Sequence, residues 1–174
     1  GRRWWKSLHT SMGFWISVVL FSFLLTGMSW TEVWGGKFVQ PWGTFPAAKW
    51  DAVPTSDLTH ASLNSAGIRD VPWGLEQTPL PQSSSDAGVP GVTSGEPVNL
   101  DGVAALANRL GFAGQFHINL PQDEKGVYTV SADTMSGDLT SPFKDRTVHI
   151  DRYTGRVLAD VAFADYSVVA KGMA

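Results

Sequence analysis

The feature that most constrains this chain is an unbroken apolar stretch near its N-terminus. Residues 12–30 carry no ionisable side chain, and their apolar side chains surround the helix axis instead of forming one stripe. At about 1.5 Å per residue such a stretch is roughly 28 Å long, close to the roughly 30 Å hydrocarbon thickness of a bilayer. A surface helix of a soluble protein would show a polar face here. The stretch therefore predicts a membrane-spanning helix, within a helix that we expect to run from Trp4 to Trp34.

Charged residues flank this span unequally. Arg2, Arg3 and Lys6 precede it, and Glu32 follows it. Because basic residues are retained on the cytoplasmic side, we expect a cytoplasmic N-terminus and a location on the far side of the membrane for everything after Trp34. Indole side chains prefer the headgroup layer, and four tryptophans bracket the span: Trp4, Trp5, Trp30 and Trp34.

Two alternatives to a membrane span remain, a cleaved secretory signal and a buried helix of a soluble protein. A secretory signal also begins basic, but its apolar core is usually only about 7–15 residues long. The sequence Phe45-Pro46-Ala47-Ala48 is a poor cleavage site, because proline stands where a small residue is needed. We therefore favour the membrane span over both alternatives.

Composition limits the outer part to one modest domain. The chain has 174 residues, a formal net charge of −3 and no cysteine. Because the leader holds three of the basic residues, the part after Gly36 is the more acidic, which argues against nucleic acid as a partner. The absence of cysteine excludes disulfides and thiolate chemistry in this chain and is compatible with a periplasmic location. Since the chain starts at Gly1 and stops in an incipient helix at 167–174, we expect an excerpt of a longer polytopic protein.

The segment between the span and residue 99 is less regular. Residues 37–50 are rich in aromatic residues, glycine and proline, and predict either a lipid-facing collar or ordinary packing under the domain. A short helix is predicted over 57–66. An extended edge segment is predicted over 71–80, because three prolines lie in or beside it. Residues 82–99 have the Ser/Gly/Pro-rich composition of a flexible linker.

A compact unit follows. Asn99 or Asp101 is expected to cap a helix that runs through Leu110, where apolar residues recur at helical spacing. Alternating segments predict four antiparallel strands, at residues 116–120, 127–132, 146–151 and 156–163. A tight turn with Asp151 and Gly155 should join the last two strands. The predicted fold is α+β: an N-terminal transmembrane helix, then a periplasmic domain with a helix packed on an antiparallel β-meander. The expected division is 1–36 for leader and span, 37–98 for segment and linker, 99–166 for the domain, and 167–174 for the next helix.

Two separate motifs resemble one known family. In the span they are basic residues followed by Leu8-His9, Gly13 and Leu25-Thr26-Gly27. In the domain they are the helix at 100–110, the strand at 127–132 and the HIDRYTGRVLAD stretch, which fits a D-x-x-T-G-x-v turn. Together they resemble the PepSY-associated transmembrane proteins, bacterial inner-membrane proteins that include iron-uptake factors and ferrisiderophore reductases. The resemblance implies a bundle of several membrane helices that holds b-type haem through histidines. It also implies an oxidoreductase that passes electrons across the membrane to periplasmic ferric siderophore, with the PepSY-like domain at 99–166. The alternative is a non-enzymatic, membrane-anchored PepSY module that binds or regulates a protein partner.

His9 is the ionisable residue that points most directly to function. An ionisable group at the edge of a span is a functional-site hypothesis by default, and Gly13, one helical turn away, would leave room for a flat macrocycle. Together with the resemblance, this predicts His9 as an axial ligand of haem iron and Gly13 as part of the cofactor site. The alternative is an interfacial histidine bonded to headgroups, with glycines that serve helix packing. The three other histidines, His60, His117 and His149, match no zinc spacing, and we expect them to be ordinary surface or half-buried residues, His60 in an exposed helix.

Trp42, Trp73 and Glu76 are the candidates for binding substrate. Exposed aromatic clusters mark binding sites, and these residues with Trp50 could recognise an iron chelate or a peptide. Ordinary packing of the same residues is the alternative. No nucleophile–base pair, phosphate-binding glycine loop or pair of carboxylates at catalytic spacing stands out in the sequence. The partners expected are therefore the lipid bilayer, further transmembrane helices of the same protein and ferric siderophore.

Overall fold

The computed structural model describes residues 1–40, 52–66, 69–83 and 86–173. They belong to two compact units, Gly1–Trp42 and Gly43–Ala174. The first unit is a long apolar helix with a short extension, and the second is a mixed α+β domain. This arrangement confirms the predicted fold class.

The long helix, α1, spans Arg2–Met28, and no residue in it is buried within the structure. Among the described residues, α1 is the one helix that is long enough and apolar enough to cross a membrane, with a mean hydropathy of 1.8. It ends six residues before the predicted end at Trp34, and one π-helical turn follows at Gly35–Val39. Glycine is required at position 35 because the backbone there passes close to the end of α1. A Cβ at this position would lie 2.0 Å from the Ser29 carbonyl oxygen.

The second unit contains a four-stranded antiparallel sheet with its strands in sequence order. Its strands are β3 (His117–Asn119), β4 (Val127–Ala132), β5 (Arg146–Asp151) and β6 (Val157–Ala162). The predicted meander is confirmed, with β3 and β6 shorter than expected. A 3-10 turn at Pro142–Lys144 precedes β5.

Helix α2, Leu100–Arg109, covers one face of this sheet. The Asn99 side chain caps it by accepting a hydrogen bond from the Gly102 backbone N–H at 2.9 Å. Apolar side chains of the helix and the strands form the core between them: Val103, Leu106, Ala107, Val130, Val148 and Ile150. The helix and its cap were predicted from spacing, and both are confirmed.

The turn between β5 and β6 also has the predicted chemistry. One carboxylate oxygen of Asp151 accepts hydrogen bonds from the Tyr153 and Thr154 backbone N–H groups, both at 2.8 Å. Gly155 has a φ of +66°, a left-handed conformation that glycine adopts without a steric penalty. The Asp and Gly of the turn motif therefore have a structural role here.

Residues 52–83, which we call the covering segment, differ most from expectation. β1 (Thr55–Thr59) pairs antiparallel with β2 (Pro79–Pro81), and a 3-10 turn at His60–Leu63 follows β1. The helix predicted over 57–66 is therefore wrong in its first part, because pairing with β2 draws residues 55–59 into an extended conformation. Of the extended segment predicted over 71–80, only the last two residues belong to a strand.

The stretch expected to be a flexible linker lies along the sheet. Val89 exchanges two backbone hydrogen bonds with Val157 at the start of β6, both at 2.9 Å. The Arg156 guanidinium donates to the carbonyls of Ala87 and Gly88 at 3.0 and 2.5 Å. Composition predicted flexibility here because it takes no account of backbone partners that lie far along the chain.

The chain leaves β6 through a 3-10 turn at Phe163–Asp165 and enters a short helix, α3, at Val168–Met173. Tyr166, between these two elements, is buried. A Cβ at Gly74 would lie 2.7 Å from the Ala170 Cβ and 4.0 Å from the Tyr166 ring, so the covering segment packs closely on this end of the domain.

Candidate functional site

On α1, His9 and Gly13 lie one helical turn apart on the same face, and both are exposed. A Cβ added at Gly13 would meet nothing within 4 Å. This face therefore offers an imidazole beside an open stretch of backbone, where another helix or a flat group could approach.

The donor set of α1 fits one axial bond to haem. His9 supplies an imidazole nitrogen, one of the standard haem ligands, and Gly13 leaves the adjacent surface free of side-chain atoms. The other three histidines belong to the second unit. In the part of the chain that the structure describes, no group of three or more potential metal-ligating side chains comes together.

The predicted substrate residues have different positions. Trp42 lies outside the described residues. Trp73 is only 2% exposed, and Glu76 is only 5% exposed, with its carboxylate 3.5 Å from the Arg69 guanidinium and 3.3 Å from the Asn64 side-chain amide. This burial favours the packing interpretation for Trp73 and Glu76, and their role in binding substrate stays a prediction.

The structure draws attention instead to the sheet face opposite α2. Alternation along the strands places polar side chains on this face, in cross-strand register: His117, Asn119, Thr129, Ser131, Thr147 and His149. Polar faces of antiparallel sheets normally meet solvent. Here the covering segment lies over this face, and Thr129, Thr147 and His149 are buried.

A pair of buried histidines joins the covering segment to the sheet. Nε2 of His60 lies 2.8 Å from Nε2 of His149, and both side chains are fully buried. His60 Nδ1 lies 2.7 Å from the Thr78 carbonyl oxygen, and His149 Nδ1 lies 2.9 Å from the Thr129 hydroxyl oxygen. His60 therefore does not occupy the exposed helix that the sequence predicted.

Donor and acceptor chemistry fixes the protons of the neutral pair. A carbonyl only accepts, so His60 Nδ1 carries the proton that is donated to Thr78. His60 Nε2 then accepts from His149 Nε2–H, and His149 Nδ1 accepts from the Thr129 hydroxyl. In this arrangement each of these three hydrogen bonds has one donor and one acceptor.

Burial keeps both imidazoles neutral. Desolvation lowers the pKa of His60 to about 4, partly opposed by its hydrogen bond to Thr78. Desolvation also lowers the pKa of His149 well below its usual value, and the neighbouring His60 lowers it further. At neutral pH the pair is a hydrogen-bonded junction without charge.

Two cavities flank this junction between the covering segment and the sheet. One, of about 250 Å³, reaches Leu58 and Leu120, and the other, of about 190 Å³, reaches His117 and Thr147. Leu63 and Thr129 line both cavities. The covering segment thus lies over the polar face of the sheet but leaves two cavities between them.

Further along the same face lie two buried carboxyls. Asp133 directly follows β4 and Asp145 directly precedes β5, one step beyond the Ala132–Arg146 pair. Desolvation and the charge of Asp133 together raise the pKa of Asp145 to about 7, against the opposing effect of hydrogen bonds from Thr134. Desolvation likewise raises the pKa of Asp133, and hydrogen bonds from Ser136 oppose this.

Sequence reasoning treated His60 and His149 separately, as ordinary residues. Thr147-x-His149 alternates with Val148 and Ile150, which is the pattern of a strand with one solvent-exposed face. The burial comes from a segment 89 residues away at the histidine contact, a separation that local patterns do not reveal.

One family model, the PepSY-associated TM region, matches residues 1–117. The match covers α1, the covering segment and α2, more than half of the chain. The chain therefore belongs to this family of membrane proteins. No curated protein and no solved structure matches it.

Proposed function

We propose that this chain is the anchored part of a haem protein of the bacterial inner membrane that passes electrons outward to reduce periplasmic ferric siderophore during iron uptake. The observation that carries the proposal is the open face of α1, where His9 and Gly13 are exposed one turn apart. The resemblance of the span and the outer domain to a family that includes iron-uptake factors and ferrisiderophore reductases supports the direction and the substrate.

In this proposal the residues of α1 have separate tasks. His9 would hold haem b through one axial bond, and Gly13 would let the cofactor or a neighbouring helix approach the backbone. Bound haem would supply one-electron chemistry. Because α1 offers one histidine, the second axial ligand would come from another helix of the same protein.

The orientation is proposed from charge. Arg2, Arg3 and Lys6 would hold the N-terminus in the cytoplasm, and the second unit would face the periplasm. Because the chain has no cysteine, single cysteines at Ser7 and Asp101 can be labelled cleanly. In intact spheroplasts we expect an impermeant maleimide to label D101C, and to label S7C only after lysis. Labelling of S7C before lysis would overturn the orientation.

Haem binding is tested on the full-length protein purified with added haem. We expect a Soret band that shifts on dithionite reduction, and its loss or strong weakening in His9→Ala. His117→Ala is the matched control, because it removes an exposed histidine of the second unit and should leave the band unchanged. A colourless wild-type protein, or an unchanged band in H9A, would exclude this role of His9.

Substrate binding is tested by quenching of tryptophan fluorescence with a ferric hydroxamate. Because Trp73 is buried, direct contact with a bulky chelate would require the covering segment to open. We therefore expect Trp42→Phe to remove most of the quenching and Trp73→Phe to leave it. Absence of quenching in the wild-type protein at millimolar chelate would remove the binding role of Trp42, Trp73 and Glu76.

A second candidate function is a non-enzymatic module that binds a protein partner. It is favoured by the 250 Å³ cavity that Leu120 lines directly after β3, an edge strand of the sheet, because Leu58 and Leu120 are 46% and 55% exposed there. An edge strand with apolar side chains nearby suits an extended peptide. Leu120→Asp should then abolish capture of the partner while the Soret band persists, whereas unchanged capture would contradict this function.

A further inference from the structure

The 190 Å³ cavity between the covering segment and the sheet has no part in the proposed function. A cross-strand row of polar side chains lines it, in which Ser131 of β4 pairs with His117 of β3 and with Thr147 of β5. Val71 and Pro72 of the covering segment add apolar lining. Because pockets for drug-sized ligands measure about 300–1,000 Å³, this cavity suits a small molecule with a polar and an apolar part.

One buried polar group of the cavity lining has no partner. Thr147 is only 3% exposed, and its hydroxyl forms no hydrogen bond with any described residue. An unpaired buried hydroxyl is costly, and such groups are uncommon in folded proteins. The Thr147 hydroxyl therefore marks a position where a ligand atom or an ordered water completes the hydrogen bond.

The lining carries negative charge. Asp70 lines the cavity, and none of the described residues that line it is a lysine or an arginine. The Asn64 side chain fixes the position of Asp70 by accepting a hydrogen bond from its backbone N–H at 2.9 Å. The Asp70 carboxylate forms no ion pair with a described residue, because the neighbouring Arg69 pairs with Glu76.

The two histidines of the lining do not reverse this sign. His117 Nδ1 lies 2.6 Å from Asp138 Oδ2, which also accepts from the Ser136 hydroxyl at 2.9 Å, so the carboxylate balances any charge that His117 takes up. His60 belongs to the uncharged histidine junction. The cavity therefore suits a cation, which can enter at the rim, where the His117 side chain is 56% exposed and Ser65 is exposed.

We propose that this cavity binds a small aliphatic molecule with one primary ammonium group. A primary ammonium has three donors, and hydroxyl and carboxylate oxygens accept from it. Asp70 supplies the opposite charge, and the hydroxyls of Ser131 and Thr147 accept hydrogen bonds from the ammonium, which gives the Thr147 hydroxyl its partner. The hydrocarbon part packs on the apolar lining from the covering segment. The site involves neither haem nor His9, so its test does not depend on the proposed function.

The test uses the full chain in detergent and butylammonium as the probe. Because the chain has no cysteine, Ser65→Cys places a single thiol at the rim of the cavity. We expect butylammonium to slow the reaction of this thiol with methyl methanethiosulfonate, with a midpoint of about 1–10 mM. Neutral 1-pentanol and anionic pentanoate, of similar size, should not slow it. Ser94→Cys, an exposed position outside the lining, is the control and should react at the same rate with or without the amine.

Thermal unfolding gives a second measurement on the cysteine-free protein. Butylammonium at about 100 mM should raise the Tm by about 3 °C or more, because it binds the folded chain, and the other two probes should not.

Two substitutions in the S65C protein separate binding from folding. Asp70→Asn should raise the midpoint of protection about tenfold or more, and Thr147→Val about two- to tenfold. T147V removes an unpaired buried hydroxyl, so without the amine we expect it to be at least as stable in urea as its parent. Asp57→Asn is the matched control, because it removes a carboxylate that lines the other cavity, and it should leave the midpoint unchanged.

Three results would overturn the proposal. One is equal protection by the three probes, which would remove the preference for an ammonium group. Another is an unchanged midpoint in D70N or T147V, and the third is no protection by butylammonium at about 100 mM.

Discussion

Both faces of β5, an inner strand of the four-stranded sheet, are buried, but by different chemistry. On β5, Val148 and Ile150 point to α2, while Thr147 and His149 point to the covering segment, and all four are at most 3% exposed. The first face is held by apolar packing. The second is held by a hydrogen bond between His60 and His149, each of which forms a further hydrogen bond within its own part of the domain.

The two faces should therefore differ in how strongly their contribution to stability depends on solution conditions. Apolar burial gains roughly 25 cal/mol per Å² and depends little on pH. Buried polar groups contribute only while each donor has its acceptor, and an orphaned partner costs about 1–3 kcal/mol. The covered polar face should therefore respond to pH and to ligands, and the α2 face should not.

The largest expected effect comes from neighbouring residues on opposite faces. Ile150→Ala should lower the free energy of unfolding by about 2–5 kcal/mol, because it leaves a cavity against α2. His149→Ala should lower it by about 1–3 kcal/mol at pH 7, because His60 Nε2 and the Thr129 hydroxyl lose their partner. Urea unfolding of the whole chain in detergent, followed by tryptophan emission, measures both. A negligible loss in H149A would mean that the histidine junction does not hold the covering segment.

Acidification should distinguish the two faces next. The pKa of His60 falls to about 4 in the folded protein, below its unfolded value, and the pKa of His149 is lowered too. Unfolding therefore takes up protons as the pH drops from about 6.5 towards 4, and the histidine contribution is lost at up to about 1.4 kcal/mol per pH unit per residue. The penalty of H149A should shrink between pH 7 and pH 4.5, while that of I150A stays constant. A constant H149A penalty would contradict a neutral pair.

Asp145 should oppose this trend. Its pKa is raised to about 7, so its stabilising, protonated form is complete at low pH and is lost as the pH rises through 7. Asp145→Asn removes that opposing contribution. In urea unfolding, D145N should lose stability on acidification more steeply than wild type, and an equal slope would contradict the raised pKa.

The edge of the sheet offers a matched pair of glycines. Gly88 and Gly95 both have positive φ, but a Cβ at Gly88 would lie 2.2 Å from the Val157 carbonyl oxygen, whereas a Cβ at Gly95 meets nothing within 4 Å. Gly95→Ala should cost about 1 kcal/mol for its left-handed backbone alone. Gly88→Ala should cost more, because the stretch beside β6 must shift. Equal losses in urea unfolding would mean that residues 86–92 behave as the flexible linker that composition predicted.

Local patterns predicted the apolar face and not the polar one. Helical spacing correctly predicted that α2 ends near Leu110, and alternation correctly predicted both ends of β4 and of β5. These predictions succeeded because the apolar side chains of α2, β4 and β5 contact elements that are close in sequence. Nothing local in the sequence indicates that His60 meets His149. The same alternation that predicted β5 made its second face look solvent-exposed, and only the folded covering segment shows otherwise.

The smallest expected effect concerns the N-terminal cap of α2, the helix that covers the apolar face. The Asn99 side chain accepts from the Gly102 N–H at 2.9 Å and satisfies one of the free donors at the start of α2. Asn99→Ala should lower the free energy of unfolding by about 1 kcal/mol, equally at pH 7 and pH 4.5, because no titratable group takes part in the cap. Asn108→Ala, an exposed position within α2, is the matched control and should cost less. A pH-dependent N99A penalty would show that α2 and the covered face are energetically coupled through the sheet, and the contrast between the two faces would then fail.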